Sequence, residues 1–294
     1  MVTATEKSVV IHADDLCMSH SASLAFAELT RLGVCGSGSV MVPCPWFPEI
    51  AAMARQDASL DIGVHLTLTS EMRHFRWRPL TRPSPSSGLA DDDGFFHRQP
   101  SEARRRAAPA AVEAELRAQI ETALAAGIDV TNLDDHAGTV LAPEFFAIYI
   151  RLGVEYALPI LITPELASYG SLHNMVGVSP AAYGAKATAA EQAGFVVFDR
   201  IVETPWIAAP VTFDEYSRLI SGIAPGRTFM ALHFAAPGDI EAIDPEMGHR
   251  RTGEYSLFRH PEFGQWLRSS GLRLEGMRGL RAELRRRLAA RRSA

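Results

Sequence analysis

Cysteine is scarce in this sequence, with three among 294 residues: Cys17, Cys35 and Cys44. Their odd number and irregular spacing argue against a disulfide framework and are typical of free thiols in a reducing compartment. The first residues lack the apolar core of a signal peptide. No run of about 18 apolar residues occurs, as a membrane-spanning helix would need. We therefore expect a cytoplasmic protein with no membrane span.

An excess of positive charge is also absent, because 29 Lys and Arg face 34 Asp and Glu, giving a net charge of -5. This balance disfavours nucleic acid as the main partner. The basic stretch "MRGLRAELRRRLAARRSA" predicts an Arg-rich C-terminal helix at about 277–294. Its Arg face is expected to be solvated, with a subunit contact or a polyanion site as alternatives. A homodimer is the default expectation for the assembly.

Short β-rich runs alternate with helical patterns along the chain, which predicts an α/β fold. The runs "SVVIHA", "SGSVMVP" and "LDIGVHLTLT" have the composition of strands, and helical segments lie between strand candidates. Such alternation is typical of βαβ units around a parallel sheet. The chain is long enough for one sizeable core. We expect a single TIM-barrel-like domain over residues 1–294.

One stretch interrupts this alternation. Residues 70–109 are rich in Pro, Ser and charged residues. An insertion of this length in a compact domain is usually functional or disordered. The run "GFFH" within it brings apolar side chains that need somewhere to pack. We therefore expect a loop or lid over the mouth of the barrel.

Acids and imidazoles recur near the predicted strands and their ends: Asp14, Asp15, His65, His136 and His233. In parallel barrels the carboxyl ends of the strands face the active-site mouth. One carboxylate and two neutral imidazoles form a good ligand set for a divalent cation and leave positions open for water and substrate. Two adjacent acids repel each other, so the Asp pair is best explained if one binds a cation and the other works on a proton.

The segments "HADDLCMS", "DIGVHLTLT" and "TNLDDH", in this order, resemble the signature segments of the YdjC-like carbohydrate deacetylases, the ChbG/HpnK family. The resemblance runs from about residue 9 to about residue 254, and includes "DDDGFF", "TFMALHFAAPGD" and "RTGE". It implies a distorted (β/α) barrel. It also implies an enzyme that removes acetyl groups from N-acetylated sugars with one divalent metal ion. The ligand set itself suits zinc, with magnesium or another ion as the alternative.

The resemblance also implies roles for single residues. Asp15, His65 and His136 match the metal ligands of the family. Asp14 matches the general base. His233 matches a histidine near the end of the barrel and is the candidate acid, for which an ordinary pKa of about 6.5 is suitable.

Further residues are expected to contact the substrate. Arg251 and Glu254 match a late Arg-x-x-Glu pattern, although an exposed ion pair on one helix face would explain them equally well. Trp46, Trp77 and Phe96 lie in or beside the predicted mouth loops and could stack on a sugar ring. Local packing is the alternative for each of these aromatic residues.

Several positions depart from the family pattern: Cys17 replaces Gly, Asn132 a frequent His, Asp135 a frequent Ser, Gly138 a His, and Phe234 a Pro. The proposed ligands and base are retained, so the expected chemistry stands. The changes fall on neighbouring pocket positions, and the family's particular sugars, such as chitin oligosaccharides, are therefore not implied for this chain.

Two other functions remain open at this stage. A metal-bound water and an Asp base could cleave a different amide or an ester, and a barrel that has lost catalysis could bind a sugar. An aspartyl-phosphate phosphotransferase is disfavoured, because its acids are spaced Asp-x-Asp. No phosphate-binding loop of the G-x-x-x-x-G-K kind occurs either.

Overall fold

A curled sheet of parallel strands organises the fold. The structure, a computed structural model, describes residues 6–164, 166–169 and 172–292. Within these residues the strands run in the spatial order β4-β3-β2-β1-β6-β5, and β7 pairs with the start of β1. Their bounds are β1 (Lys7–Leu16), β2 (Ser37–Val40), β3 (Ile62–Leu66), β4 (Leu133–Asp135), β5 (Arg200–Glu203), β6 (Gly226–Leu232) and β7 (Arg273–Leu274).

Helices follow most of the strands, as a parallel sheet requires. They are α1 (His20–Arg31), α2 (Phe47–Gln56), α3 (Pro100–Arg106), α4 (Pro109–Ala125), α5 (Phe146–Glu155), α6 (Pro180–Ala193), α7 (Phe213–Ser221), α8 (Ile240–Ile243), α9 (Gly248–Arg259), α10 (Pro261–Ser269) and α11 (Met277–Arg292). Among the described residues, no helix combines the length and apolar character needed to cross a bilayer.

The sheet closes irregularly between β4 and β5. The Leu133 N–H donates to the Pro159 carbonyl (2.8 Å), and the Leu161 N–H donates back to Leu133 (3.0 Å). On the other side, the Phe198 N–H donates to the Ile162 carbonyl (2.9 Å). Residues 159–162 therefore bridge the gap with few hydrogen bonds in place of a full strand. This confirms the predicted α/β fold, a distorted barrel.

Strand β1 lies at the centre of the sheet. It pairs with β6 from Lys7 to Ala13 and with β2 from His12 to Leu16. The apolar run from Val9 to Ile11 is at most 2% exposed, so hydrophobic burial fixes which residues reach the carboxyl end of the strand. The candidate functional residues Asp14 and Asp15 lie at that end.

The 70–109 insertion is packed onto the barrel. Trp77 is 2% exposed and Phe96 is fully buried, which gives the apolar residues of the insertion a place in the core. The buried Glu115 carboxylate of α4 accepts hydrogen bonds from the Leu80 and Thr81 N–H groups, both at 3.0 Å, and from the Thr81 hydroxyl at 2.7 Å. A helix of the barrel therefore anchors the insertion through its backbone.

The basic end of the chain forms α11 up to Arg292. Arg281, 8% exposed, donates to the Val130 carbonyl at 2.7 Å and pairs with Asp129 at 2.5 Å, so this arginine fastens the helix to the barrel. The predicted helix range ends at 294, and its last two residues lie outside the described residues, as do 1–5, 165, 170 and 171 of the predicted domain. A single domain over 1–294 stays a prediction.

Glu115→Ala should lower the free energy of unfolding by about 2 kcal/mol, because the partly buried N–H groups of Leu80 and Thr81 lose their charged acceptor. Chemical denaturation measures the change. Glu121→Ala on the same helix is the control, since the exposed Glu121 accepts a single bond, from the Tyr156 hydroxyl. Equal stability of the two variants would contradict the anchoring role of Glu115.

Candidate active site

Two adjacent acids reach the same cavity because the first strand ends irregularly. Neighbouring side chains of a strand normally point to opposite faces. At Asp15 the backbone φ is +59°, in the left-handed region, and φ is +76° at Cys17. The register with β2 shifts between Ala13 and Leu16. Both Asp14 and Asp15 consequently line one cavity.

Asp15 is the centre of a buried cluster with two imidazoles. Its Oδ1 lies 3.0 Å from His136 Nδ1 and 3.3 Å from His65 Nε2. All three residues are at most 5% exposed, and each offers a ligand atom within 4.8 Å of the others. The donor set, one carboxylate oxygen and two imidazole nitrogens, fits a divalent cation.

A second carboxylate, that of Asp134, orients His65 through the ring nitrogen that faces away from Asp15. Asp134 Oδ1 lies 2.8 Å from His65 Nδ1, which leaves Nε2 directed to Asp15. The other oxygen, Asp134 Oδ2, accepts from the Asn132 amide (3.2 Å) and lies 2.8 Å from His12 Nε2. Metal-binding histidines usually have such a partner on their second nitrogen, because it fixes the tautomer and the ring orientation.

The negative charge of these carboxylates can be balanced either by protonated imidazoles or by a metal ion. Burial acts to lower the pKa of His136, but Glu71 and Asp15 raise it to about 10. Burial likewise opposes charge on His65, yet Asp134 and Asp14 hold its pKa well above the usual range. A cation that bound here would displace these protons.

Asp14 has a different environment from its neighbour. It is 8% exposed, and its Oδ1 is buried without a hydrogen-bond partner among the described residues. The nearest imidazole atoms are His12 Nε2, 3.6 Å from Oδ1, and His233 Nε2, 4.0 Å from Oδ2. Burial raises the pKa of Asp14 to about 7, and His65 and His12 oppose this increase. Such a carboxyl is suited to exchange a proton.

Asp15 instead faces a permanent cation. Burial acts to raise its pKa, but Arg251 and His136 hold it well below the usual range. Arg251 Nη1 donates to Asp15 Oδ2 at 2.8 Å, and Arg251 Nε donates to Asp244 at 3.3 Å. Arg251 therefore fixes one oxygen of Asp15 and leaves the other directed to the imidazoles.

Glu254 does not pair with Arg251 on an exposed helix face. It is fully buried. Its carboxylate accepts hydrogen bonds from the backbone N–H of His233, at 2.9 Å, and from the Tyr216 hydroxyl. The Thr204 hydroxyl lies 2.9 Å from His233 Nδ1. Glu254 and Thr204 therefore hold His233 from two sides.

His233 is neutral before any reaction. Burial lowers its pKa to about 3; the Asp15 carboxylate opposes this decrease, and the Arg251 guanidinium adds to it. The ordinary pKa assumed from the sequence does not apply here, because the imidazole is desolvated beside a fixed cation. His233 can serve as an acid only after it has received a proton during turnover.

The cavity has a volume of about 580 Å³, and Trp206 contributes an aromatic ring to its lining. The three aromatic residues expected to stack on a sugar lie elsewhere. Phe96 is fully buried and Trp77 is 2% exposed, while Trp46 packs against His20 outside the cavity lining. We therefore do not propose a substrate contact for any of these three.

A family model described as "YdjC-like protein" matches residues 8–269. The chain belongs to the YdjC-like family. It is 36% identical over 162 residues to a carbohydrate deacetylase of Thermus thermophilus, covering 55% of this chain and 56% of that protein. It is 32% identical over 152 residues to a carbohydrate deacetylase of Brevibacillus brevis, covering 52% of this chain and 58% of that protein. The chain thus spans a little more than half the length of these relatives.

A solved structure shares the fold. It belongs to a protein of Enterococcus faecalis V583 described as a candidate for cellobiose-phosphate cleavage, and matches with a TM-score of 0.74 at 21% identity. The match covers 94% of this chain and 99% of that one. At this identity the likeness shows a common fold.

Four residues around the cluster were not singled out from the sequence: His12, Glu71, Asp134 and Trp206. A signal existed for two of them. Asp134 and His12 stand two residues before His136 and Asp14, and alternate residues of a strand share a face. Trp206 and Glu71 lie in loops, where no periodicity indicates which side chain faces a cavity.

Asp134→Asn should weaken the affinity for a divalent cation by about 10- to 100-fold, because His65 loses the carboxylate that orients it. Calorimetric titration with zinc and with magnesium measures the effect. Asp135→Asn is the matched control on the same strand, since Asp135 Oδ1 accepts from the Val140 N–H. Equal losses in both variants would show that the effect does not come from the orientation of His65 by Asp134.

Proposed function

We propose that the protein is a metal-dependent carbohydrate deacetylase, which hydrolyses the acetamide of an N-acetylated sugar to acetate and an amino sugar. The observation that supports this best is that the two adjacent acids at the end of β1 have different environments. Asp15 contacts His65 and His136, and Asp14 carries a buried oxygen that has no hydrogen-bond partner within the described part of the chain. The names of the Thermus and Brevibacillus relatives support the sugar substrate.

One divalent cation is the proposed cofactor, held by Asp15, His65 and His136. When bound, such an ion lowers the pKa of a water molecule and polarises an acyl oxygen. Two imidazoles and one carboxylate favour zinc, whereas magnesium favours sites dominated by oxygen. Arg251 neutralises the second oxygen of Asp15, and this restricts the carboxylate to a single ligand atom.

Asp14 is the proposed general base. Its Oδ2 and His233 Nε2 lie 4.0 Å apart and both residues line the cavity, so the two groups can face the same reacting amide. Asp14 accepts the proton of the attacking water as the carbon–oxygen bond forms. The nitrogen must gain a proton when the carbon–nitrogen bond breaks. His233, neutral at rest, supplies it after it has received the proton taken from the water.

The wall around these groups provides the sugar site. The ring centroids of Trp206 and His233 lie 4.6 Å apart. The central carbon of the Arg251 guanidinium lies 5.1 Å from the Trp206 ring centroid. These contacts hold the indole beside the reacting groups, where an apolar ring can support the face of a pyranose. A cytoplasmic location, a homodimer and the lack of nucleic-acid binding remain predictions from the sequence.

Asp14→Asn should reduce acetate release from N-acetylated sugars by about 10²- to 10⁴-fold, because the amide side chain cannot accept the proton. Metal affinity should be retained, since Asp15, His65 and His136 are unchanged. His136→Ala is the contrasting variant and should lose both. Acetate release by the wild type, compared with its action on simple esters and other amides, tests the substrate class. Full turnover by Asp14→Asn would exclude this mechanism.

Trp206→Ala should raise KM for the sugar by about 10-fold with a smaller effect on kcat, as expected when an aromatic contact to the substrate is lost. Trp206→Phe should recover much of the loss. Trp46→Ala is the control, because Trp46 is 38% exposed and does not line the cavity. The same KM in the wild type and in Trp206→Ala would remove Trp206 from the sugar site.

A further inference from the structure

The 70–109 insertion reaches the candidate metal cluster through its second residue. Glu71 Oε2 lies 3.0 Å from His136 Nε2. The ring of Trp77, from the same insertion, meets the His136 ring edge-on with centroids 6.1 Å apart. His136 is therefore held by Glu71 at one nitrogen and by Trp77 against its ring, both outside the barrel strands.

The two nitrogens of His136 face different carboxylates. Nδ1 lies 3.0 Å from Asp15 Oδ1, and Nε2 lies 3.0 Å from Glu71 Oε2. When the imidazole is neutral, a proton on Nε2 can be donated to Glu71. The lone pair of Nδ1 then faces Asp15 and the His65 side of the cluster. Glu71 thus selects the tautomer that a cation at this cluster needs.

We propose that Glu71 is a positioning residue that holds His136 for the metal ion, so that ion binding and the packing of the insertion stabilise each other. This inference rests on the proposed function, because it assumes the ion. Glu71 matches the role of Asp134 at His65, where a carboxylate also lies 2.8 Å from the second ring nitrogen. Each imidazole of the cluster is then oriented by its own acid.

The two orienting acids differ in what supports them. Asp134 belongs to β4 and is 1% exposed, whereas the Glu71 side chain is 31% exposed and belongs to the insertion. Next to Glu71, the Ser70 backbone N–H donates to the His97 carbonyl at 2.9 Å. The Ser70 hydroxyl accepts a hydrogen bond from the backbone N–H of Trp77, also at 2.9 Å. The position of Glu71 consequently depends on the fold of the insertion.

Coupling of this kind must act in both directions. If the packed insertion improves ion binding through Glu71, a bound ion stabilises the packed insertion by the same free energy. The insertion lines the cavity with Glu71, Met72 and Arg73. The ion therefore also orders part of the wall that meets the substrate.

The test measures ion affinity and insertion stability without an activity assay. Zinc and magnesium are titrated by calorimetry into the wild type, Glu71→Ala and Glu71→Gln, and hydrogen exchange of residues 72–97 is followed with and without saturating ion. The control is Glu246→Ala, which removes an exposed carboxylate from the same cavity lining. Far-ultraviolet circular dichroism checks that each variant is folded.

We expect Glu71→Ala to weaken ion affinity by about 10- to 100-fold. Glu71→Gln should lose less, because its amide oxygen can still accept from Nε2, and Glu246→Ala should change little. The ion should slow exchange in residues 72–97 of the wild type but not of Glu71→Ala. Equal affinity in the wild type and Glu71→Ala would overturn the positioning role and leave the proposed function intact. A wild type that binds neither ion would overturn both.

Discussion

The backbone at the end of β1 is the constraint on which the candidate site depends. In a regular strand Asp14 and Asp15 would point to opposite faces, and one of them would enter the core. The positive φ at Asp15, with the register shift between Ala13 and Leu16, turns both carboxylates to one cavity. A non-glycine residue in this conformation costs on the order of 1 kcal/mol or more, and such residues concentrate at functional sites.

The negative charges of two acids in one buried cavity must then be compensated. The two acids differ in how this is done. Arg251 and two imidazoles surround Asp15, which stays ionised. Among the residues that the structure describes, none places a cation at hydrogen-bond distance from Asp14, and burial has the largest effect on its pKa. Buried ion pairs contribute little net stability, because desolvation offsets their attraction. The cluster is therefore better explained by its chemistry than by any contribution to folding.

The alternation of strands and helices, and the acids and imidazoles near the strand ends, were predictable from the sequence. Alternating strands and helices indicated the barrel, and the resemblance to a family indicated its distortion and the residues of the cluster. Side chains in loops were not predictable: Phe96 is buried in the core while Trp206 lines the cavity, and both follow irregular backbone. The sequence also left open an exposed Arg251–Glu254 pair, because burial at α9 depends on contacts between residues distant in the sequence, such as Arg251 with Asp15 and Glu254 with Tyr216.

The division between strands and loops bears on how substrate preference could change. The proposed reacting groups come from strand ends, which pack into the core, whereas much of the cavity wall comes from loops that include Trp206 and the insertion. Loops of this kind usually vary without affecting the scaffold. Here the contact between Glu71 and His136 joins one wall segment to the cluster. Under the proposed function, a changed insertion should therefore alter ion binding as well as sugar recognition, whereas a change at Trp206 should leave the contacts of the three proposed ligands intact.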